Sequence, residues 1–130
     1  VAMQLRYALT VYIDICTRLS KFDEVKCAEG HLTTLSANID KAAWDGEWYV
    51  RAIKEDGYVF GTSKNPIKEG NIWLNPQSWA IISGQATGER AETESDSVIK
   101  RCRTTGIVFV FFKILNIFDG NLVSQQTDVE

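Results

Sequence analysis

The sequence predicts a mainly helical chain with one β-hairpin set between helical pairs. Three observations carry that expectation. Apolar residues recur at three- and four-residue steps over residues 2–20 and again over about 24–42. After Asp45-Gly46 the apolar pattern alternates instead, and it reaches a hairpin signal at Asp56-Gly57. Helix start and stop residues then punctuate the stretch from Asn75 to Gly106.

In the first segment Leu5, Ala8, Leu9, Tyr12, Ile13, Cys16 and Leu19 follow the helical period. Lys21-Phe22-Asp23-Glu24 makes the connection, with Asp23 as the N-cap of the next helix. Val25, Ala28, Leu32, Leu35, Ile39, Ala42 and Ala43 continue the period. Gly30 in its interior costs about 1 kcal/mol relative to alanine, which weakens a helix without breaking it. Two helices joined so closely form an antiparallel αα-hairpin.

Beyond Asp45-Gly46, strand alternation points Trp48, Val50 and Ala52 one way and Tyr49, Arg51 and Ile53 the other. Tyr58-Val59-Phe60 is the returning strand, and residues 61–71 form a polar loop. A short extended Ile72-Trp73-Leu74 leads to Asn75-Pro76, an N-cap followed by proline at the first helical position. That helix runs from Pro76 to about Ser83 and stops at Gly84. Thr87 caps a last helix from Gly88 to about Arg103, with Ala91, Val98 and Cys102 inward and Gly106 closing it. From Ile107 the chain changes character: Ile107-Val108-Phe109-Val110-Phe111-Phe112 is uninterrupted, apolar and β-prone, an aggregation hazard if exposed. Lys113 and Asn116 interrupt it well short of the roughly 20 apolar residues that a membrane helix needs.

The composition, 45% hydrophobic and 24% charged over 130 residues, is that of a globular protein able to bury a core. A net charge of −3 drawn from both signs leaves no basic stripe for nucleic acid and no polybasic patch for a membrane. Cys16, Cys27 and Cys102 are far apart and include no C-x-x-C pair, which argues against a zinc site or a disulfide framework. Free thiols of this kind suit a reducing cytoplasm, so a cytoplasmic location is expected. Val1 opens no charged secretory leader; the helical pattern is already under way there, as in a piece of a longer protein.

The chemistry concentrates in the run Trp44-Asp45-Gly46-Glu47-Trp48-Tyr49-Val50-Arg51-Ala52. Aromatic surface beside so many hydrogen-bonding groups suits a pyranose, which offers an apolar C–H face and a rim of hydroxyls. A second unusual run is Leu74-Asn75-Pro76-Gln77-Ser78-Trp79-Ala80-Ile81-Ile82-Ser83-Gly84, followed by Glu89-Arg90-Ala91 and Asp96-Ser97-Val98. In this order and spacing, from about Leu5 to Gly106, the segments resemble glycoside hydrolase family 94, formerly glycosyltransferase family 36. That family holds inverting cellobiose and diacetylchitobiose phosphorylases and part of the cyclic glucan synthases. Asn75-Pro76-Gln77-Ser78-Trp79 looks more like the disaccharide phosphorylases.

The resemblance implies an (α/α)6 toroid, a ring of helical hairpins with the site in its mouth. Residues 1–106 would be part of that catalytic domain, about two hairpins with the β-hairpin inserted, and residues 107–130 a divergent tail. It implies reversible phosphorolysis of a β-linked disaccharide to a sugar 1-phosphate and a free sugar. The small sugar is the partner, inorganic phosphate is the co-substrate, and no metal or organic cofactor is needed; the family is often homodimeric. Inverting phosphorolysis needs one acid for the departing oxygen, with phosphate attacking the opposite face. In the family that acid sits in a Trp-Asn-Asp-type segment ahead of the first helix here. The phosphate ligands, a histidine and a threonine among them, come mostly from beyond the point of divergence. No catalytic residue is therefore carried over, and the chain alone is expected to be association-prone and inactive.

The candidates for substrate contact are Asp45, Glu47, Trp48, Arg51 and Gln77. Each has a plainer reading. A turn aspartate such as Asp45 bonds nearby backbone N–H groups. Trp48 would pack on the helices while Arg51 pairs with Glu47 along the strand, and Gln77 would cap its own helix or reach into a site. His31, the single histidine, falls on the solvent side of the second helix. Ser83, Gly84 and Gly88 lack the lysine of a phosphate loop, and Asp96 and Ser97 lack a nearby histidine for a hydrolytic triad. Two other functions compete: a hydrolase of the same barrel with water in place of phosphate, and a non-catalytic sugar-binding or vestigial helical fragment.

Overall fold

The computed structural model describes residues 1–66 and 70–102. The expectations for Gly106, for the apolar run 107–112 and for the side chain of Cys102 lie outside the described residues. The elements run α1 (Ala2–Arg18), α2 (Phe22–Ala43), β1 (Ala52–Ile53), β2 (Val59–Phe60), α3 (Leu74–Ile82) and α4 (Glu89–Cys102). The chain is thus mainly helical with a small two-stranded antiparallel sheet.

α1 ends in a paired-carbonyl closure: the Ser20 N–H donates to the Thr17 carbonyl at 3.0 Å and the Lys21 N–H to the Cys16 carbonyl at 2.9 Å. Ser20 takes the left-handed φ of 55° that this closure requires. The chain re-enters a helix at once, so Lys21, with no side-chain cap bond, precedes α2. Asp23 is not the N-cap; it lies with Glu24 in the first turn, where the helix dipole favours negative charge.

α1 and α2 pack as the expected antiparallel hairpin, with Met3 and Cys16 of one and Ala28 and Ile39 of the other buried. The Arg6 Nε–H crosses to the Ser36 hydroxyl at 3.0 Å. α1 carries a broad apolar face, and α2 covers only part of it. Leu9 and Ile13 are half-buried, whereas Leu5, Tyr12, Ile15 and Leu19 are exposed. Among the described residues, no helix is long and apolar enough to cross a membrane.

The strand pairing is shorter than the sequence pattern suggests. Ala52 pairs with Phe60 and Ile53 with Val59, around a turn in which the Gly57 N–H donates to the Lys54 carbonyl at 3.0 Å. Gly57 has φ 82°, the conformation for which glycine is suited. Trp48, Tyr49 and Val50 do not alternate between core and solvent; all three are buried. They belong to a tight loop folded back on the end of α2, in which the Val50 N–H donates to the Ala43 carbonyl at 2.8 Å. Protein covers both sides of that loop, so alternation in direction brings no alternation in exposure.

α3 starts at Leu74 with Trp73 as its N-cap. Asn75 and Pro76 therefore occupy the second and third helical positions, not the N-cap and first position, which a first-turn proline tolerates because it has no N–H to satisfy. α3 closes as α1 does, with Gly84 at φ 70° donating to the Ile81 carbonyl at 2.9 Å and the Gln85 N–H to the Ala80 carbonyl at 2.8 Å. Met3, Ile39, Tyr49, Ala80 and Ala86 form the core, with Trp44, Trp79 and Ala91 packed against it. The core therefore joins α1, α2, the 44–50 loop and the α3–α4 corner around Tyr49.

Candidate functional site

Asp45 organises the 44–50 loop from within. One carboxylate oxygen accepts the Glu47 N–H at 3.0 Å and the Trp48 N–H at 3.1 Å. The other accepts the Thr62 hydroxyl at 2.9 Å and the Ser63 N–H at 2.6 Å. Burial by itself would raise its pKa, but hydrogen bonds from Ser63, Glu47, Trp48 and Thr62 outweigh that and hold Asp45 below the usual aspartate value. A depressed carboxylate stabilises the fold above its unfolded pKa, and the contribution is lost as pH falls through the folded one. Asp45→Ala is expected to loosen the 44–63 region by about 1–3 kcal/mol at neutral pH, with the difference from wild type shrinking below about pH 4. Amide hydrogen exchange over residues 46–63 at pH 7 and pH 3 checks both statements; an unchanged opening free energy at pH 7 would refute them.

Trp48 is 0% exposed. Its indole N–H is shared between the carbonyls of Gly61 at 2.9 Å and Asn71 at 3.0 Å, pinning the long loop to the short one. Gly61 is needed there: its φ is 72° and a β-carbon would lie 2.7 Å from the Trp73 ring and 3.2 Å from Arg51. The Arg101 guanidinium covers the Trp48 ring at 4.7 Å.

Tyr49 is held at both ends. Gln77, itself 0% exposed, accepts the Tyr49 N–H at 3.0 Å and donates to the Tyr49 carbonyl at 2.8 Å. Its amide also donates to the Trp73 carbonyl at 3.0 Å, so Gln77 clasps the neighbouring loop while bonding the start of its own helix. The Tyr49 hydroxyl donates to Asp40 at 3.0 Å. Burial first, and then the negative charge of Asp40 against the opposing pull of Arg90, push that hydroxyl up to about 12. Asp40 also accepts from Gln85 at 2.7 Å and pairs with Arg90 at 2.8 Å. Burial opposes its charged form, but these bonds win and lower its pKa. Arg90 in turn covers the Trp44 ring at 5.0 Å, and Trp44 meets Tyr49 edge-on at 5.1 Å.

Of the five candidates, Asp45 and Trp48 are joined in one loop and Gln77 reaches that loop through Tyr49. Glu47 and Arg51 are exposed and turn apart. Glu47 lies 3.9 Å from Arg101, and Arg51 covers the Trp73 ring at 4.7 Å, so the Arg51–Glu47 pair does not form. Arg51 lines a groove of about 550 Å³ between the first turns of α1 and α3 and the last turns of α2, with Trp79, Met3 and Ile39 as apolar wall and Gln4, Asn38 and Asn75 as polar rim. Glu47 lines a second groove of about 670 Å³ beside Thr93, Ser97 and Lys100 of α4.

Residues 1–112, which include every element above, match the Glycosyl hydrolase 94 superfamily, catalytic domain. The chain belongs to this family. A cellobionic acid phosphorylase of Neurospora crassa is 37% identical over 86 residues, covering 66% of this chain and 11% of that protein. A 3-O-beta-D-glucopyranosyl-beta-D-glucuronide phosphorylase of Paenibacillus borealis is 37% identical over 90 residues, covering 69% of this chain and 11% of its own length. An N,N'-diacetylchitobiose phosphorylase of Vibrio proteolyticus is 33% identical over 98 residues, covering 71% of this chain and 12% of its own. The chain thus spans about a tenth of the length of the curated relatives it matches.

Asp40 and Gln85 of this family 94 chain are not among the sequence candidates, and Arg90 stands there only within the Glu89-Arg90-Ala91 block, because no local pattern links the three. Gln85 and Asp40 stand 45 positions apart. The available signal was modest: a glutamine directly after the α3-closing glycine, and an arginine in the first turn of a helix, where the dipole disfavours positive charge.

Proposed function

We propose that this chain is part of an inverting glycoside phosphorylase and contributes about two hairpins of an (α/α)6 toroid together with one wall of its sugar site. The observation that carries the reading is the family match, joined to the three relatives above, one fungal and two bacterial, which are named phosphorylases. In such an enzyme an acid protonates the departing glycosidic oxygen while phosphate attacks the anomeric carbon from the other face. The sugar is a disaccharide of the class those relatives act on. The groove beside Arg51 has the composition this demands, with the Trp79 indole for a C–H face and Arg51 and Asn75 for hydroxyls.

Within that reading Arg51 is the candidate in direct contact with sugar. Asp45, Trp48 and Gln77 position it by fixing the loop from which it projects, and Glu47 belongs to the opposite groove. The catalytic acid and the phosphate ligands are not assigned to this chain.

Grafting the matched segment into the Neurospora relative in place of its own tests the reading. The chimera is expected to release sugar 1-phosphate in a phosphate-dependent reaction. Arg51→Ala in that chimera is expected to raise KM for the sugar about tenfold or more, the loss of one charge-assisted contact, with thermal stability little changed. A folded chimera that liberates free sugar without phosphate would favour the hydrolase; one with no turnover would overturn the proposal.

A further inference from the structure

Glu94 lies midway along α4 with 0% exposure, and neither of its carboxylate oxygens has a hydrogen-bond partner among the described residues. A carboxylate in such a place is costly, and the group keeps its proton instead. Burial pushes Glu94 up to about 8.

Its surroundings follow from helical spacing. Residues 90, 94 and 101 of α4 fall on one stripe, with Val98, also buried, beside it. The stripe lies on the 44–50 loop: Arg90 covers Trp44, and eleven residues further on Arg101 covers Trp48. Glu94 is therefore pressed between two cationic anchors onto an aromatic surface. Neither anchor neutralises it, because Arg90 is engaged with Asp40 and Arg101 approaches Glu47. Asp40 of α2 and Glu47 of the loop face those two arginines, the Tyr49 hydroxyl beside Asp40 is neutral, and α3 supplies no charged residue. An ionised Glu94 would be a buried negative charge with no cation of its own to pair with.

We propose that α4 is a proton-dependent clasp on the 44–50 loop, seated while Glu94 is neutral and released when Glu94 ionises. The clasp matters beyond α4 because Arg90 completes the Asp40–Tyr49 link behind the loop that carries Arg51. It does not depend on which reaction the parent protein performs.

The direction with pH follows from linkage. Below the ordinary glutamate value of about 4.5, Glu94 is protonated whether α4 is seated or free, so seating is strongest and independent of pH. Between about 4.5 and about 8 only the seated form keeps the proton, and seating weakens about tenfold per pH unit. Above about 8 it levels off at its weakest.

Hydrogen exchange of α4 amides on the full chain, corrected for intrinsic rates and referenced to α2, reads the seating constant. Wild-type protection should fall about tenfold per unit from pH 5 to pH 8. Glu94→Gln, close to the neutral acid in shape, and Glu94→Met, apolar and of similar length, should both give protection that is flat over this range. A flat wild-type profile would overturn the proposal, as would a slope retained in both variants, which would assign the pH dependence to another group. Loss of α4 protection at every pH in both variants would overturn it too, because the carboxyl would then matter for something other than its proton.

Discussion

Replacing Gln77 with methionine should raise the opening rate of the whole 44–73 region rather than merely fray the start of α3. The Gln77 amide satisfies the N–H and the carbonyl of Tyr49 and the carbonyl of Trp73, and the two Tyr49 groups lie in a fully buried residue. Methionine fills the volume but offers none of the three bonds. A buried backbone group left unpaired costs about 1–3 kcal/mol, so the expected loss is about 2–5 kcal/mol of local stability. Glutamate is a sharper probe. It preserves the acceptor for the Tyr49 N–H but turns an oxygen toward the Tyr49 carbonyl, and it should be no better than methionine. Hydrogen exchange at residues 48–52 and 73–78 measures the effect. If Gln77→Met left both segments protected, the clasp would be incidental to the loop.

Trp48→Ala should be as damaging, by about 3–5 kcal/mol, because a fully buried indole is removed from a packed site. Trp48→Phe separates the packing from the hydrogen bonds. It keeps most of the ring but removes the N–H shared by Gly61 and Asn71, for an expected loss of about 1–3 kcal/mol, with exchange rising first at residues 61–71. Arg51→Ala provides the contrast, since it forfeits only a stacking contact over Trp73 at an exposed position, about 0.5–1 kcal/mol. A ranking with Arg51→Ala at least as harmful as Trp48→Ala would mean that the loop is held from its solvent side.

The bonds behind these expected effects give the dense aromatic and polar residues of this short run a structural role. Asp45, Trp48 and Gln77 look like sugar ligands because they combine ring surface with hydrogen-bonding capacity. In the fold that capacity is spent mostly on main-chain groups: three backbone N–H bonds and the Thr62 hydroxyl to Asp45, two carbonyls on the Trp48 indole, and three bonds to Gln77. A loop that is covered on both sides needs internal partners for its backbone, and these side chains provide them. Arg51 escaped this use because it follows the last buried residue of the loop, Val50, and faces the groove.

Local chemistry was legible without coordinates. The periodicity of the α1–α2 hairpin, the turn at Asp56-Gly57, the stop of α3 at Gly84 and the backbone bonding of Asp45 all depend on neighbours a few residues away. The family blocks were legible for the same reason, being contiguous runs. What required the folded chain were choices between locally equivalent alternatives. α1 carries a broad apolar face, and packing in the fold buried Met3 and Cys16 while leaving Leu5 and Leu19 exposed. The 44–50 loop alternates like a half-exposed strand, yet α2 and α3, with Gly61 and Asn71, cover both faces. Gln77 meets Tyr49 across 28 positions and Gln85 meets Asp40 across 45. No periodic pattern encodes such pairs, because their geometry exists only after the helices have packed.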